Sequence, residues 1–174
     1  YSVSSCGNPL NGTATTSISG NQLCVTYIPD ANFNGLDSLC ILVCDDGTPS
    51  LCDTAIINIV VTPVNDPPSV PDTTVTVPED DTVSFCLNIS DVDAGQTYSV
   101  SSCGNPLNGT ASTTISGNQV CITYTPNADF NGLDSLCILV CDDGTPLLCD
   151  TAIINVVVTP VSDTTYSTIN QTAC

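Results

Sequence analysis

Cysteine and aspartate are the two residue types in this sequence that could do chemistry. The chain of 174 residues contains 12 cysteines and 18 acidic residues, all of them aspartates except Glu79. It has no Lys, Arg or His, so its formal net charge is −18. Without histidine no mixed Cys/His zinc site can form, and disulfides in an oxidising, extracellular setting are the better interpretation of the cysteines. Four-cysteine metal sites are the alternative.

The cysteines recur in the motif SLCILVCDDGTP, which occurs at Ser38–Pro49 and again at Ser135–Pro146. The motif is typical of a strand that runs into a turn. Successive side chains of a strand point to opposite faces, so the two cysteines share the face opposite to the first Leu, the Ile and the Val. In a sandwich the apolar face is buried, which turns these cysteines outward. Outward cysteines can pair only with neighbours on the same sheet.

The motif belongs to a longer internal repeat. Residues Tyr1–Asp66 recur as Tyr98–Asp163 with ten substitutions. A full unit, residues 67–163, predicts seven strands, A to G, within roughly 100 residues, which is the pattern of an Ig-like β-sandwich. These strands are Thr73–Val77, Val83–Ile89, Tyr98–Cys103, Ala111–Ser116, Gln119–Thr125, Ser135–Cys141 and Thr151–Val161. The predicted fold class is therefore all-β, with tandem seven-stranded, disulfide-braced sandwiches.

The expected domains are an incomplete repeat at residues 1–66 that holds strands C to G, a complete repeat at residues 67–163, and a C-terminal strand at residues 164–174. The chain begins mid-pattern, which indicates a mature product or an excerpt of a longer protein. A sandwich without strands A and B exposes core and unpaired strand edges. We therefore expect another segment to complete the first domain.

The usual strand order of the sandwich gives a hypothesis for the disulfides, because strand B lies beside E and strand F lies between C and G. The expected pairs are Cys86–Cys121, Cys103–Cys137 and Cys141–Cys149, although six cysteines allow 15 connectivities. The first repeat carries their counterparts Cys6, Cys40, Cys44, Cys52 and Cys24.

Cys24 is the counterpart of Cys121, but the strand that would carry its partner is missing from the first repeat. Cys174 is the one cysteine without a counterpart in the repeat. We expect Ile169–Cys174 to stand in for strand B of another subunit, with a Cys24–Cys174 disulfide formed head to tail between successive copies. The alternative is that the chain is an arbitrary window on a longer array.

The composition excludes several classes of function. No side chain can neutralise phosphate or bind an acidic membrane surface, so nucleic acid and polybasic membrane contacts are excluded. No apolar run reaches 18 residues, which argues against membrane insertion. An enzyme is not expected, because without His, Lys or Arg no ordinary base near neutral pH and no cationic oxyanion stabiliser exist.

Several short segments give the chain a family resemblance that covers one full repeat and most of a second. It resembles the tandem Ig-like or cadherin-like repeats of giant bacterial surface adhesins and extracellular filaments, although such repeats usually lack cysteines. The matching segments are Asn65–Pro68, Pro78–Asp80, Asp91–Gly95, Tyr124–Asn127, Phe130–Gly132 and Val158–Val161. The resemblance implies an extracellular, cell-surface protein.

The resemblance also implies a calcium site at the junction of the two repeats, since cadherin-like modules use comparable positions, and clustered carboxylate oxygens are what Ca²⁺ prefers. The alternative is that these acids are solvated turn formers. The expected ligands at the junction are Asp66, Asp91 and Asp93 with Asp37, and contributions are expected from Asp30, Asp142 and Asp143. The expected ligands at the far end are Glu79, Asp129, Asp134 and Asp163.

Outward aliphatic side chains form a stripe that occurs in both repeats, which suggests lateral packing between chains. The stripe comprises Leu42, Ile56 and Val60 in the first repeat and Leu139, Ile153 and Val157 in the second. The predicted function is a structural segment of an extracellular adhesive fibre on a bacterial surface. Its expected partners are copies of itself, and cell-surface ligands of other cells are a further candidate. The alternative is a ligand-binding or carbohydrate-binding module, against which the low aromatic content of 5 % counts.

Overall fold

The structure is a computed structural model that describes residues 1–162. These residues divide into two units, unit 1 at Tyr1–Val64 and unit 2 beginning at Asn65. Their regular elements are twelve β-strands, in agreement with the predicted all-β fold. No helix that could span a lipid bilayer occurs in this part of the chain. The predicted metal ligand Asp163 and the predicted disulfide partner Cys174 lie outside the described residues.

Unit 2 is a complete seven-stranded sandwich. One sheet has the order β6-β12-β11-β8 and the other the order β7-β10-β9, and β6 pairs with β12 in parallel while the other pairs are antiparallel. The strands are β6 (Thr73–Pro78), β7 (Val83–Asn88), β8 (Ser99–Gly104), β9 (Gly109–Ser116), β10 (Gln119–Pro126), β11 (Gly132–Cys141) and β12 (Cys149–Thr159). The strands β6 to β12 correspond to the predicted strands A to G. The order confirms that strand B (β7) lies beside E (β10) and that F (β11) lies between C (β8) and G (β12).

The boundaries of β11 and β12 differ most from the sequence prediction. β11 begins at Gly132 and β12 begins at Cys149, because the two strands pair without interruption from Gly132 opposite Val158 to Cys141 opposite Cys149. Backbone pairing therefore continues past the apolar, β-branched run on which the prediction relied.

The core of unit 2 lies between its two sheets. Thirteen apolar residues are buried there, and β6 and β7 cover it with further half-buried side chains, among them Val75, Phe85 and Leu87. The fully buried set includes Val120, Ile122 and Tyr124 on β10, whose alternation with outward residues is the period-two pattern of a strand packed on one face.

Unit 1 contains five strands that repeat β8–β12 of unit 2. They form one sheet of order β1-β4-β5 and a two-stranded sheet of β2 and β3. Only Leu39 and Ile41 are buried apolar residues in this unit. Strands equivalent to β6 and β7 are not among the strands of unit 1. The five strands are β1 (Ser2–Gly7), β2 (Gly12–Ser19), β3 (Gln22–Pro29), β4 (Gly35–Cys44) and β5 (Cys52–Val61).

Candidate functional site

Five disulfides link neighbouring strands on the outer faces of the sheets. They are Cys6–Cys40, Cys44–Cys52, Cys86–Cys121, Cys103–Cys137 and Cys141–Cys149. Those of unit 2 are the three pairs expected from strand order, and those of unit 1 join the corresponding strands. Each cysteine alternates along its strand with side chains that face the core, so the parity of the apolar residues determines where the disulfides lie.

The disulfides of unit 2 join cysteines that are either directly opposite each other or next to an irregularity in strand pairing. Cys86 lies directly opposite Cys121, and Cys141 directly opposite Cys149, with Cα atoms 4.0 Å apart in both pairs. Cys103 lies at an irregularity in the pairing of β8 with β11, where Gly104 rather than Cys103 is opposite Cys137. The disulfides thus fix β7 to β10, β8 to β11 and the end of β11 to the start of β12.

Cys24 on β3 is a free, exposed thiol, and it is the only one among residues 1–162. Its counterpart Cys121 forms a disulfide with β7 in unit 2. Among residues 1–162 the strand β3 pairs only with β2. The predicted partner of Cys24, Cys174, falls outside the described residues, so the expected Cys24–Cys174 disulfide stays a prediction.

A cluster of polar residues, here called the acidic pole, lies at the end of unit 2 that carries Asn65. The loop before β8 contributes Asp91, Asp93 and Gln96, and the loop after β11 contributes Asp142 and Asp143. The N–H of Asp66 donates to Asp93 at 2.7 Å, and the Gln96 amide donates to Asn65. Three segments distant in sequence therefore meet here, including three of the four ligands predicted for the junction.

The Asn65 side chain joins the linker to the loop between β11 and β12. Its amide donates to Asp142 and to the carbonyl of Pro146, both at 2.9 Å. A Cβ atom on Gly144 would collide with this amide, so glycine in the DDG motif allows the close approach. The counterpart loop of unit 1 has the same sequence around Asp45, but no amide side chain from residues 1–162 bonds to that carboxylate.

Two carboxylates of the acidic pole, those of Asp142 and Asp143, are held in their charged form. Burial alone would raise the pKa of Asp142, but hydrogen bonds from Leu148, Asn65 and Gly144 outweigh it and lower the pKa. The backbone and hydroxyl of Thr97 likewise lower the pKa of Asp143. Burial raises the pKa of the Tyr98 phenol, and the nearby carboxylates of Asp91, Asp142 and Asp143 raise this pKa further.

The side-chain oxygens of the acidic pole match in part the ligands that a hard cation prefers. The Oδ2 atom of Asp91 and the Oε1 atom of Gln96 are buried and accept no hydrogen bond from the part of the chain that the structure describes. Oxygens of this kind are ligands that Ca²⁺ prefers. However, within residues 1–162 no three acidic or thiol side chains are arranged so that they could share one metal ion. The pole thus offers unsatisfied oxygens without a complete set of carboxylate ligands.

Two other predicted ligands, Asp134 and Asp37, have a different set of contacts. Asp134 is buried on β11 and accepts hydrogen bonds from the N–H groups of Leu107, Asn108 and Ser135 and from the hydroxyl of Tyr124. Asp37 of unit 1 makes the same four contacts with its own neighbours. Both carboxylates are therefore satisfied by protein donors.

These contacts set the protonation of the tyrosine–aspartate pair. Burial alone would raise the pKa of Asp134, but its four hydrogen bonds outweigh that effect and the pKa is lowered. Burial, followed by the hydrogen bond to Asp134, raises the pKa of Tyr124. A Cβ atom at Gly109 would lie 2.7 Å from the Tyr124 ring, so a glycine is needed where the ring packs against β9. Sequence reasoning missed this pair.

The ligands predicted for the far end of unit 2 also have protein partners. Glu79 is buried and accepts hydrogen bonds from the N–H of Val161 at 2.7 Å and from the Asn131 amide at 3.0 Å. Asp129 has a positive φ of 59°, as does its counterpart Asn32 with 61°, and its N–H donates to Asp80. Asp and Asn tolerate this conformation better than most residues, which accounts for their exchange between the repeats.

The predicted apolar stripe is present on the outer face of the sheet that contains β4 and β5, and on the equivalent face of unit 2. Ile56 and Val60 are 71 % and 70 % exposed, and Ile153 is 48 % exposed. Leu42, Leu139 and Val157 are half-buried. No Asp or Glu side chain lies on either of these faces between the strand ends.

Comparison with known proteins gives a family and a set of structural neighbours. A family model described as bacterial Ig domain matches residues 65–159. No curated protein sequence is significantly similar to the chain. The structure of a protocadherin gammaB7 EC3-6 cis-dimer aligns with a TM-score of 0.57 and 22 % identity, over 91 % of this chain and 40 % of the other. The chain therefore spans less than half of that neighbour.

Two further structures show the same fold. Protocadherin gamma C5 EC1-3 aligns with a TM-score of 0.57 and 17 % identity, over 91 % of this chain and 56 % of the other. Human mucin-like protocadherin EC1-2 aligns with a TM-score of 0.54 and 19 % identity, over 92 % of this chain and 84 % of the other. At these identities the similarity concerns the cadherin-like sandwich fold.

Proposed function

Because the chain belongs to the bacterial Ig domain family, we propose that it is a structural segment of an extracellular adhesive fibre on a bacterial cell surface. The observation that carries the proposal is the set of five cross-strand disulfides on the outer faces of both units. Disulfides persist in oxidising, extracellular compartments. Each one prevents a pair of neighbouring strands from separating, which suits a module that transmits force.

The distribution of charge supports a structural role for the sheet faces. The acids of both units lie in loops, at strand ends or, like Asp37 and Asp134, in the interior. The outer faces carry Ser, Thr, Asn, Cys and aliphatic residues instead. Copies of a chain with a net charge of −18 repel one another. This repulsion is weakest where both copies present an uncharged sheet face. The proposed fibre therefore associates side by side through the apolar stripe, as well as end to end.

Self-association also has a parallel among the structural neighbours, because the protocadherin gammaB7 structure is a cis-dimer. For this chain the side-by-side contact would bury Ile56 and Val60, which are otherwise largely exposed. Sedimentation of the chain with Ile56→Asp or Ile153→Asp tests this part of the proposal. The control is Thr15→Asp, which places the same charge on the exposed face of β2 in the other sheet of unit 1.

We extend the proposal to calcium at the acidic pole. Asp66, Asp91, Asp93 and Gln96 are the residues of unit 2 that would contribute oxygens, and Asp91 and Gln96 already have oxygens without a hydrogen-bond donor. Bound Ca²⁺ would neutralise neighbouring carboxylates and join loops that otherwise repel one another. Asp37 and Asp134 are not part of this proposal, because protein donors satisfy their oxygens.

Thermal unfolding with Ca²⁺ and with a chelator tests the calcium proposal. We expect Ca²⁺ to raise the melting temperature of unit 2, and Asp91→Asn to abolish the increase. The control is Asp46→Asn, which changes the exposed unit 1 counterpart of Asp143 and should leave the increase intact. An unchanged melting temperature after addition of the chelator would remove calcium from the account.

Single-molecule force measurement tests the structural role itself. Stretched under oxidising conditions, unit 2 should extend less than in the reduced form, because disulfides close the loops Cys86–Cys121, Cys103–Cys137 and Cys141–Cys149. Reduction should lower the unfolding force and lengthen each step by an amount on the order of 10–20 nm. If oxidised unit 2 unfolds at forces no higher than the reduced form, the mechanical function is rejected.

A further inference from the structure

The strand β9 is the longest edge strand of unit 2, and its outer side has no partner strand among residues 1–162. It lies at one end of the sheet β7-β10-β9 and pairs regularly with β10 over all eight of its residues. Proteins usually protect such an edge with Pro, a charged side chain, a bulge or a short strand, because its free N–H and C=O groups can pair with another strand. β9 (GTASTTIS) has none of these features.

The other three edge strands of unit 2 are better protected. Each of β6, β7 and β8 has only six residues. β6 also ends at Pro78, and the pairing of β8 with β11 is irregular next to Cys103. β9 is therefore the edge of this sandwich that is most open to another strand.

The sequence around β9 is uncharged. No Asp or Glu occurs from Ala94 to Ala128, a segment that contains β8, β9 and β10, although the chain has 18 acidic residues. The whole sequence also lacks Lys and Arg. Two copies of so acidic a chain therefore repel each other least on this side of unit 2.

A crevice of about 50 Å³ opens beside β9, where the two sheets end on the same side of the sandwich. β9 contributes Ala111 and Thr113 to its lining, and β11 contributes the buried Leu136 and Ile138. Ala111 lies opposite the fully buried Tyr124 and shares its core-facing side, yet Ala111 is exposed. The core is thus uncovered at this edge, and a further strand beside β9 would cover it.

The strand β2 of unit 1 (GTATTSIS) repeats these features. It contains no charged residue and no Pro. A crevice of about 30 Å³ beside it is lined by the counterpart residues Ala14, Thr16, Leu39 and Ile41. The opening therefore accompanies this strand in both repeats.

We propose that β9 pairs antiparallel with β9 of a second copy of this chain, so that their two sheets join across a two-fold axis. This contact is separate from the apolar stripe, because the stripe lies on the outer face of the other sheet. The pairing is isologous, since the same strand contributes from both copies. It gives the free N–H and C=O groups of each edge a partner.

The register of this pairing follows from parity and side-chain size. Residues directly opposite each other share a face, so the core-facing Ala111, Thr113 and Ile115 must lie opposite one another. When Thr113 lies opposite itself, the large Ile115 of one copy lies opposite the small Ala111 of the other, beside the crevice. A register centred on Ser112 would instead place Ile115 opposite Gly109.

Hydroxyl pairs on the outer face make this edge complementary to itself. In the register centred on Thr113, Ser112 lies opposite Thr114 of the second copy. Unit 2 already has such pairs between β7 or its preceding residue and β10, since the hydroxyl oxygens of Thr82 and Thr125 are 2.9 Å apart, as are those of Ser84 and Thr123. Cross-strand pairs of this kind stabilise a sheet. They favour a second copy over an unrelated strand.

Hydrogen exchange of the β9 amides in the full chain, measured at low and at high protein concentration, tests the proposal. Alternate amides of β9 bond to β10, and the others face the edge. We expect the edge-facing amides to exchange about tenfold more slowly at high concentration, because dimer formation follows mass action. The amides of β10 should not change.

Charge substitutions test which residues meet. Ser112→Asp combined with Thr114→Asp places acids opposite acids and should abolish the concentration dependence at β9. Ser112→Lys combined with Thr114→Lys should do the same. An equimolar mixture of the two variants should restore the dependence, because each acid then lies opposite a lysine.

The matched control adds the same charge to the same sheet face at its other edge. Ser84→Asp combined with Asn88→Asp changes two exposed residues of β7 and keeps an acceptor for the hydrogen-bond partner of each. This variant should retain the concentration dependence at β9. Ile153→Asp should also retain it, so failure of the β9 contact is distinguishable from failure of the apolar stripe.

Several results would overturn the proposal. These are β9 amides whose exchange does not depend on protein concentration, a dependence that survives in both charged variants, and a mixture that fails to restore the dependence although each variant keeps the β10 protection of the unmodified chain. Protection of β9 that arises only when a different protein is added would also overturn it, because the partner would then not be a second copy.

Discussion

Units 1 and 2 have nearly the same sequence over the strands they share, yet their interiors differ. Unit 2 buries thirteen apolar side chains, and unit 1 buries two. The ten substitutions between the repeats do not explain this, because identical residues such as Ala55 and Ala152 also differ, the first exposed and the second fully buried. The two strands β6 and β7 account for the difference, so burial here is a property of the complete sandwich.

The comparison also separates features that a strand carries with it from features that depend on its neighbours. The Asp37–Tyr27 and Asp134–Tyr124 contacts are present in both units, and so are the disulfides that involve β4 and β11. These features lie within the five shared strands. The core on β3 and the partner of Cys24 depend on a strand that unit 1 does not contain.

The largest difference between the units is expected from truncation of a matched core residue. Ile154 is fully buried in unit 2, and its counterpart Ile57 is half-buried. We expect Ile154→Ala to lower the free energy of unfolding of unit 2 by about 3 kcal/mol, and Ile57→Ala to lower that of unit 1 by about 1 kcal/mol. Urea unfolding followed by hydrogen exchange in each unit measures both. Equal losses would show that unit 1 has a closed core.

Removal of the β7–β10 disulfide should have the next largest effect. Cys86→Ser combined with Cys121→Ser should lower the stability of unit 2 by about 2–4 kcal/mol, because the bond restricts the unfolded chain across 35 residues. Cys24→Ser in the monomeric chain should leave the stability of unit 1 unchanged, since this thiol is exposed and unpaired. Destabilisation of monomeric unit 1 by Cys24→Ser would contradict the free edge of β3.

A smaller effect is expected from the tyrosine hydroxyls. Tyr124→Phe removes one of the four donors to Asp134 and should lower the stability of unit 2 by about 1.5–3 kcal/mol, the usual value for a hydrogen bond to a charged group. Tyr27→Phe should have a smaller effect in unit 1, because Tyr27 is partly open to water that can replace the donor. Chemical denaturation of the two variants measures the difference, and the opposite order would count against the open unit 1.

The smallest effect should be the same in both units. Gly20 and Gly117 have φ values of 61° and 57° and no atoms near an added Cβ, so each change to Ala strains only the local backbone. We expect a loss of about 1 kcal/mol in each unit. A clear inequality between the two glycine variants, measured by thermal unfolding, would mean that the shared strands themselves differ.

The strands and disulfides could be predicted from the sequence because both follow from side-chain alternation. On β11, Leu136, Ile138 and Val140 alternate with Cys137 and Cys141, so the burial of one set determines the exposure of the other. Strand order in an Ig-like sandwich then leaves each outward cysteine one close neighbour. Such local regularity needs no knowledge of distant contacts.

The acidic residues were harder to predict, because a carboxylate has a different role depending on which distant backbone groups reach it. The pole residues Asp66, Asp91 and Asp93 lie together as expected. Asp134 was predicted to be a metal ligand but accepts hydrogen bonds from Leu107, Asn108, Ser135 and Tyr124. A signal was present in the sequence, since Asp134 has the inward parity of Leu136 on the same strand.

Glu79 illustrates what sequence could not provide. Its carboxylate accepts hydrogen bonds from Val161 and Asn131, which come from the end of β12 and from the loop before β11. Those partners are 82 and 52 residues away in the chain, and only the parallel pairing of β6 with β12 brings them to Glu79. No local pattern specifies contacts of this kind.

Hydrogen exchange of the β3 amides, compared with those of β10, tests the central claim most directly. β3 (Gln22–Pro29) and β10 (Gln119–Pro126) provide matched sets of amides within one chain. The account predicts that β3 exchanges much faster than β10, because β10 pairs with two strands and β3 pairs with β2 alone among residues 1–162. Protection of β3 equal to that of β10 would contradict it.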